Sequence, residues 1–541
     1  MLTAPLTAQV MAAEPYWKIT PELAARHDDA VDRYLTLQTV DAASPWHGGI
    51  RDAHGLHHGG SAAGAVHVFA TAILQPLSRH RAGPLMERLK LALDFVRRKS
   101  SADGNLDLLT TNFDSPPDTA FAMYSLAGAA ALARRYGNRE LEALLEPVVK
   151  RAAGGVARGG VHTPNHRWVH CAALAQAHAL YPNPANIRRI DEWLAEGIDI
   201  DADGQYSERS TVTYNGIVNR ALTVTAIKLN RPELLVPVRR NLDSMLYLLH
   251  DDYQAVTEIS RRQDQNERGG LQSYWLALRY LANRDHNGVY ETLARRQSAS
   301  LGELMEYPEL SAAGPEPAAA PDNYEKHFPA LGIARIRRGG VSATMLLGGS
   351  SRLFTVRNGQ AIVKAVRMAS AFFGKGQFVP TRAEKRGATY ALEQELDAGY
   401  YQPFGDGRRQ PAGVGRWYEL REGRRRSEVC RMNYKAAVTE DRGGFLIRLQ
   451  AAGTNDVPVA VEINLDGKGE LQGAERVPEV GDAWLATGSA ATWRVGGDAI
   501  RIGPGRADHR YTQVRMAEPK MPGPSLYVTG YTPFDHTLRF D

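Results

Sequence analysis

The sequence predicts a multidomain α + β protein in which an N-terminal (α/α) toroid of helical hairpins is followed by an antiparallel β-sandwich. Two observations predict this fold class. Apolar residues recur at helical spacing up to about residue 300, whereas short β-rich segments divided by glycine turns fill the second half. A chain of 541 residues is also long enough for more than one domain.

Residues 1–310 are predicted to form the toroid, which would carry the catalytic site. About ten apolar-periodic segments, mostly in close pairs, are separated by Gly, Pro and Asn, and paired helices that pack side by side curl into a solenoid or a closed toroid. The predicted helices cover residues 62–77, 84–98, 119–136, 140–153, 167–180, 184–196, 213–229, 232–250, 271–282 and 289–298.

Residues 311–323 are predicted to be a linker, because this stretch is rich in Pro and Ala and proline disfavours both helix continuation and sheet pairing. Residues 324–541 are predicted to form the β-sandwich, from runs of β-branched and aromatic residues between Gly-containing turns. The predicted strands include residues 331–337, 341–347, 353–357, 361–368, 444–450, 457–463, 511–516 and 525–529.

Composition and charge exclude several protein classes. Hydrophobic residues make up 43% and charged residues 23%, which excludes a mainly disordered or fibrous chain. The net charge of +5 favours an acidic substrate but is too small to indicate nucleic acid binding. No stretch approaches the roughly 18 apolar residues of a membrane helix, so no membrane partner is expected. Two distant cysteines, Cys171 and Cys430, predict neither a disulfide framework nor a cysteine zinc site.

The first candidate site lies at residues 159–168, which introduce a predicted helix. Thr163 and Pro164 suit a helix start, so Asn165, His166 and Arg167 should project from the first turn of the helix, at a rim. The alternative interpretation is that Thr163 or Asn165 only caps the helix and that His166 is merely exposed.

The second candidate site lies at residues 201–215, where an Asp-Gly turn leads into another predicted helix. Tyr214 would lie in its first turns, with Glu208 and Arg209 just before it, so Tyr214 and His166 could share one rim. Alternatively, Tyr214 is a core aromatic residue, and Asp201 and Asp203 form a plain turn. A calcium loop is a weak interpretation, because Val212 stands where its last glutamate would be.

The third candidate site is the polar stretch 258–268. Arg261 and Arg262, beside Gln263, are suited to grip a substrate carboxylate with planar, bidentate hydrogen bonds, although such charge runs are often solvated faces. Asp118, near the start of a helix after Pro117, is either a cap or a wall residue of a cleft. His54, His57 and His58 lie in a Gly-rich stretch that more closely fits a rim loop than a metal site.

The residues 164–168 (Pro-Asn-His-Arg-Trp), followed by Asp-Gly, Glu208-Arg-Ser and Tyr214, resemble the heparinase II/III-like and alginate-lyase-like polysaccharide lyases. Those families join an α/α toroid to an antiparallel β domain. The resemblance implies that Asn165 neutralises a uronate carboxylate, that His166 is a base or stabilises charge, and that Tyr214 is the acid and base. The chain departs from many relatives in having no histidine in residues 356–367.

The predicted function is therefore a uronate lyase that cleaves an acidic polysaccharide or oligosaccharide by β-elimination, with no cofactor and no metal. Ionisation of Tyr214 would require a positive neighbour such as Arg209 or a protonated His166, because a free tyrosine titrates near about pH 10. Syn and anti geometries both stay open. The residues predicted to bind substrate are Glu208, Arg209, Arg261, Arg262, Gln263, Trp168, Asp118 and Tyr401.

Two other function classes fit the sequence. A glycoside hydrolase on an α/α toroid would use paired carboxylates from among Asp118, Asp203, Glu208 and Asp251. A non-catalytic carbohydrate-binding protein would use exposed aromatic residues such as Trp168, Tyr400, Tyr401 and Trp417.

Two further predictions concern the β domain and the location of the protein. Substrate recognition is predicted to extend to Arg352, Arg357, Tyr400, Tyr401 and Arg416 in the β domain. The predicted function favours a secreted or periplasmic protein. No lysine or arginine precedes Lys18, so a signal peptide is not evident.

Overall fold

The computed structural model describes residues 16–81, 83–405, 407 and 415–541. The question of a leader in residues 1–15 therefore lies outside the described residues. The chain divides into two compact units. The first is helical and takes in the described residues up to Leu249 together with Tyr253–Ala320, and the second takes in His250–Asp252 and Pro321–Asp541. The chain passes from the first unit to the second inside the Pro- and Ala-rich stretch.

The helical unit consists of hairpins whose first helices lie side by side. Helices α2, α4, α6 and α8 pack in sequence, and α3, α5, α7 and α9 each return beside its predecessor. The helices are α1 (Pro21–Leu37), α2 (Gly59–Leu74), α3 (Leu85–Lys99), α4 (Pro116–Arg135), α5 (Arg139–Arg158), α6 (Pro164–Leu180), α7 (Pro184–Ala195), α8 (Tyr214–Leu229), α9 (Leu235–Met245), α10 (Trp275–Asp285), α11 (Gly288–Arg295) and α12 (Leu301–Glu306).

Local sequence explains where these helices begin. Proline occupies the first turn of α4, α6 and α7, where its missing N–H is not needed and its fixed φ suits a helix. Ser115 caps α4 and Asn183 caps α7 through side-chain oxygens that accept backbone N–H groups. These starts place polar side chains at the helix ends, as the sequence predicts.

Contacts between the first and last segments close the helical unit. The Trp17 indole donates to Glu291 Oε1 at 3.1 Å and its ring lies 5.4 Å from that of Trp275 in α10. The fully buried Arg279 pairs with Glu291 at 2.7 Å. Residues 274 positions apart are thereby joined, as a closed arrangement of hairpins requires.

Three local differences separate the predicted helices from the observed ones. A short hairpin of β1 (Leu106–Leu108) and β2 (Asn112–Ser115) precedes α4, and short 3-10 turns precede α9 and α10. The prediction that one helix continues to residue 250 is wrong, because α9 ends at Met245 and tight turns follow. Periodicity does not distinguish such turns from helix when apolar residues continue through them.

The second unit contains two large β-sheets. Its strands are β3 (Asn323–Phe328), β4 (Ile333–Arg338), β5 (Val341–Leu346), β6 (Phe354–Asn358), β7 (Ala361–Ser370), β8 (Arg382–Arg386), β9 (Thr389–Tyr401), β10 (Arg426–Asp441), β11 (Gly444–Gly453), β12 (Pro458–Asp466), β13 (Glu470–Gln472), β14 (Glu475–Arg476), β15 (Ala483–Leu485), β16 (Ala491–Val495), β17 (Asp498–Gly503), β18 (Ser525–Tyr531) and β19 (Phe534–Phe540). Among the described residues, one sheet has the order β13-β16-β17-β19-β11-β10-β9-β8 and the other β14-β15-β18-β12-β7-β6-β5-β4-β3.

The two sheets share a hydrophobic core. Met345, Val363 and Val461 of one sheet belong to the same buried cluster as Tyr434 and Ile447 of the other. In the part of the chain that the structure describes, neighbouring strands pair antiparallel except β15 with β18, which pair in parallel. The antiparallel sandwich predicted from the sequence is confirmed, with this one exception.

One predicted strand is wrong. Residues 511–516 form an irregular segment, in which Met516 has φ +64° and is 74% exposed. Thr512 and Val514 are nevertheless buried, which explains the alternating pattern that predicted a strand. The longest helix described between residues 330 and 540 is α13 (Arg416–Leu420), of five residues. None of the helices in the described part of the chain is long and apolar enough to cross a membrane.

Candidate active site

Asn165 lies in the first turn of α6 and is 1% exposed. Its Nδ2 donates to Glu208 Oε2 at 2.7 Å and to Thr163 Oγ1 at 3.1 Å, so both amide hydrogens are engaged. Its Oδ1 is buried and has no hydrogen-bond partner. The structure thus places Asn165 against Glu208, behind the surface of the site.

His166 is buried among aromatic rings. Its imidazole meets the ring of Phe121 edge-on at 5.9 Å and that of His162 at 4.8 Å. Burial, followed by the neighbouring His162, lowers the pKa of His166 to about 4. The lowered pKa favours the neutral imidazole at neutral pH, so the positive neighbour of Tyr214 is better sought in Arg262 than in a protonated His166.

Tyr214 is the first residue of α8 and is only partly buried. Its hydroxyl oxygen accepts hydrogen bonds from Gln263 Nε2 at 3.0 Å and from Arg262 Nη2 at 3.4 Å, and the Arg262 guanidinium lies 4.7 Å from the ring centroid. The hydrogen bond with Tyr214 is the main cause that raises the pKa of Arg262. Two N–H groups fill the acceptor side of this oxygen, so its own hydrogen is left to be donated.

Glu208 connects Asn165 to Arg262. Its Oε2 accepts from Asn165, and its Oε1 lies 3.4 Å from Arg262 Nη1 as an ion pair without an aligned hydrogen bond. Burial raises the pKa of the Glu208 carboxyl, although the Asn165 hydrogen bond and the Arg262 charge oppose this rise. Asn165, Glu208, Arg262 and Tyr214 therefore form one continuous chain of contacts, which begins beside His166.

The loop that carries Arg262 and Gln263 is fixed to the start of α8 by Asp264. This buried carboxylate accepts from Ser210 Oγ at 2.9 Å, from Val212 N–H at 3.1 Å and from Ser260 Oγ at 2.5 Å. Asp264 is not among the residues that the sequence predicts for the site. The four-residue spacing of Ser260 and Asp264 is only a weak sequence indication that they form a hydrogen bond, and Ser210, the other serine partner, is 54 positions away.

Arg209 and Arg261 add positive charge beside this chain of contacts. The Arg261 N–H donates to the Glu208 carbonyl at 3.2 Å, and its side chain is exposed. Arg209, with φ +52°, lies 3.7 Å from Asp201, and burial together with the charge of Arg261 lowers its pKa. Arg262 is a positive neighbour of Tyr214, at its hydroxyl and over its ring.

Three further predicted substrate-binding residues, Trp168, Asp118 and Tyr401, form hydrogen bonds with other residues of the protein. Trp168 is fully buried, and its Nε1 donates to Asp199 at 3.1 Å, so the expectation of an exposed aromatic platform there is wrong. Asp118 accepts from Ser115 Oγ at 2.5 Å and from Asn112 Nδ2 at 2.9 Å at the start of α4. Tyr401 belongs to the β unit, where its hydroxyl donates to Glu422 at 2.8 Å, and its role in recognition stays a prediction.

The histidines of residues 54–58 hold a loop together. His57 contacts Thr39 Oγ1 at 2.9 Å, and His58 contacts Asp52 at 3.1 Å and accepts from the Leu109 N–H. Among the described residues, no group of three or more His, Cys, Asp or Glu is arranged to hold a metal ion. Asp201 accepts from the N–H groups of Asp203 and Gln205, as an Asp-Gly turn requires.

Comparison with known proteins identifies this architecture. No protein-family model matches the chain, and no curated protein matches its sequence. The structure of chondroitin AC lyase from Streptomyces coelicolor A3 in complex with chondroitin sulphate matches with a TM-score of 0.58 and 14% identity, over 98% of this chain and 80% of that chain. Paenibacillus xanthan lyase matches with a TM-score of 0.57 and 10% identity, over 97% of this chain and 57% of that chain.

The chain shares its fold with chondroitin AC lyase and xanthan lyase. A mutant of the Streptomyces coelicolor enzyme matches similarly, with a TM-score of 0.53 and 13% identity over 98% of this chain and 80% of that chain. TM-scores of 0.58 and 0.57 show a shared fold, and at identities of 14% and 10% they show the fold alone. The predicted arrangement of an α/α toroid followed by an antiparallel β domain is confirmed, whereas the role of each site residue stays a prediction.

Proposed function

We propose that the protein is a polysaccharide lyase that cleaves uronic-acid-containing glycans by β-elimination. In this reaction the C5 proton leaves, a double bond forms between C4 and C5, the C4–O4 bond breaks, and O4 takes up a proton. The site must therefore neutralise the uronate carboxylate, accept one proton and donate another.

The arrangement around the Tyr214 hydroxyl carries this proposal. The oxygen accepts N–H groups from Gln263 and Arg262 while the phenol stays partly exposed. Tyr214 can therefore donate its hydrogen to the departing O4. Arg262 and Gln263 already point at the oxygen on which negative charge develops, so this charge is stabilised without rearrangement.

The C5 proton has two candidate acceptors. His166, with its pKa lowered to about 4, is neutral and so able to accept a proton in an anti elimination. In a syn elimination Tyr214 would start as the phenolate beside the positive charge of Arg262, take the C5 proton and then give that proton to O4. The variant His166→Ala distinguishes these routes, because only the syn route retains turnover within about tenfold of wild type when the base contribution of His166 is removed.

Arg261 is the side chain that we assign to the substrate carboxylate. Its side chain is exposed, and its backbone N–H donates to the Glu208 carbonyl, which holds Arg261 at the site. The guanidinium of Arg262, by contrast, already contacts Tyr214 and Glu208. Asn165, which the resemblance assigned to this task, has both amide hydrogens engaged inside the protein. A planar guanidinium donates two parallel hydrogen bonds to a carboxylate.

An acidic glycan is the substrate class that these charges favour. Arg209, Arg261 and Arg262 lie together at the site, and the net charge of the chain is +5. The structurally similar chondroitin AC lyase is described in complex with chondroitin sulphate. The positive charge of the site and the structural similarity both favour an acidic glycan, without identifying the uronate.

A panel of uronate polymers tests the proposal. Glycosaminoglycans, alginate, and plant or bacterial glucuronate-bearing glycans are incubated with the protein, and the ultraviolet absorbance of the new conjugated double bond is followed. We expect absorbance to grow with at least one uronate polymer and with no neutral glycan. Release of saturated sugars without absorbance would instead indicate hydrolysis, and turnover of neutral glycans alone would overturn the proposal.

A further inference from the structure

Glu208 is an unusual carboxylate for a substrate-binding role. It is 7% exposed, and its two oxygens face Asn165 and Arg262. Burying an ionised carboxylate is costly unless it has partners of opposite charge or N–H donors. Its contacts therefore lie with other residues of the site, and little of its surface is left for a ligand.

The two sides of Glu208 are held in different ways. On the Asn165 side there is a short hydrogen bond of 2.7 Å, and the amide keeps this bond although its own Oδ1 has no partner. An unpartnered buried carbonyl is costly, so this orientation of the amide depends on the carboxylate. On the Arg262 side there is only a 3.4 Å ion pair, in which Oε1 has no aligned hydrogen bond.

We infer that Glu208 is a positioning residue, held by Asn165, whose negative charge keeps the Arg262 guanidinium at the hydroxyl and over the ring of Tyr214. This inference rests on the proposed function, in which Tyr214 transfers the protons. It gives Asn165 a role different from neutralising the substrate, since the amide acts on Arg262 through Glu208.

The inference makes charge, and not shape, the essential property at position 208. Glu208→Asp keeps the charge but shortens the side chain, whereas Glu208→Gln keeps the shape but removes the charge. A neutral amide brings no negative charge to Arg262, and its NH₂ group must face an N–H donor on either the Arg262 side or the Asn165 side. If Glu208 only supported the fold, Gln would be the better substitute.

Steady-state kinetics on the uronate polymer selected by the panel test this ranking. We expect kcat to fall in the order wild type, Glu208→Asp, Glu208→Gln, with the last about 10- to 100-fold below wild type, because a misplaced catalytic group costs about that much. KM should stay within about threefold, since Glu208 does not touch the substrate. A Gln variant that is more active than the Asp variant, or a loss confined to KM, would overturn the inference.

A matched control and a double variant complete the design. Glu196→Gln removes a carboxylate that forms an ion pair at 2.9 Å with Arg167, a residue of the helix that also carries Asn165. This variant should leave kcat unchanged. In an Arg262→Ala background, Glu208→Gln should lower kcat by less than twofold, because its effect passes through Arg262. Fully additive losses would contradict the inference.

Crystal structures of the Glu208→Gln and Glu196→Gln variants separate this inference from the proposed function. We expect Arg262 to leave Tyr214 in the first variant and to stay in the second. An unmoved Arg262 in Glu208→Gln would overturn the positioning role even for an active lyase. If no uronate polymer is cleaved, the proposed function fails while the same two structures still decide whether Glu208 positions Arg262.

Discussion

Arg262 meets Tyr214 in two ways at once. Its Nη2 donates to the phenol oxygen at 3.4 Å, and its guanidinium carbon lies 4.7 Å from the ring centroid. The two residues are 48 positions apart, one at the start of α8 and the other in the loop fixed by Asp264. A positive charge is thereby directed at an oxygen able to donate a proton, and the first two predictions concern this pair.

Removing the Tyr214 hydroxyl should stop turnover without unfolding the protein. Tyr214→Phe deletes one partly exposed oxygen, so the melting temperature should change by less than about 2 °C, while kcat should fall by about 10²-fold or more. The matched control is Tyr280→Phe, which removes a hydroxyl that also accepts from an arginine, Arg284, at 3.4 Å. A folded Tyr214→Phe variant with wild-type turnover would contradict the assignment.

Replacing Arg262 with lysine should lower kcat although the charge is kept. A single ammonium cannot reach both Glu208 and the Tyr214 hydroxyl as the planar guanidinium does, so we expect a loss of about tenfold or more. Kinetics on the same uronate polymer provide the measurement. Arg284→Lys, at the comparable exposed pair with Tyr280, serves as the control and should leave kcat as in wild type.

Arg261 should contribute to binding more than to chemistry. Arg261→Ala removes the exposed guanidinium that we assign to the uronate carboxylate, so KM should rise about 10-fold or more while kcat changes little. The difference from wild type should shrink as salt is added, since exposed charges are screened. An unchanged KM at low ionic strength would show that another group holds the carboxylate.

His170 should make the protein less stable in acid. Its side chain is fully buried, and neither ring nitrogen has a hydrogen-bond partner. Burial lowers the pKa of His170 to about 3. Between about pH 3 and 6.5 the unfolded chain binds a proton that the folded chain does not, so stability rises with pH across this window. At pH 5 the loss per such histidine is about 2 kcal/mol.

The variant His170→Leu tests this pH dependence. It removes both unpartnered nitrogens and keeps an apolar side chain of moderate size, so its melting temperature should exceed that of wild type at pH 5 by more than at pH 8. Thermal melting at the two pH values provides the measurement. If acid lowers the melting temperature of wild type and of His170→Leu by the same amount, other groups determine the loss of stability in acid.

The sequence alone determined which half is helical and which is β-sheet. Apolar periodicity and turn residues are local, so they predicted α6 with its proline start and the strands around residues 341–368. The same locality explains the failure at residues 511–516, where alternating burial occurs without strand pairing. Polar residues at helix starts are visible in the sequence, so they predicted that Asn165, His166 and Tyr214 share one rim, and their roles there stay a prediction.

Only the tertiary structure decided how these side chains are connected. The Asn165–Glu208 bond joins residues 43 positions apart, and the Arg262–Tyr214 bond joins residues 48 apart. Nothing in the sequence states that Arg262 contacts Tyr214, or that Trp168 is buried in the interior. Partners and burial depend on how helices pack in three dimensions, and packing fixes the direction of each side chain in a way that local sequence patterns cannot.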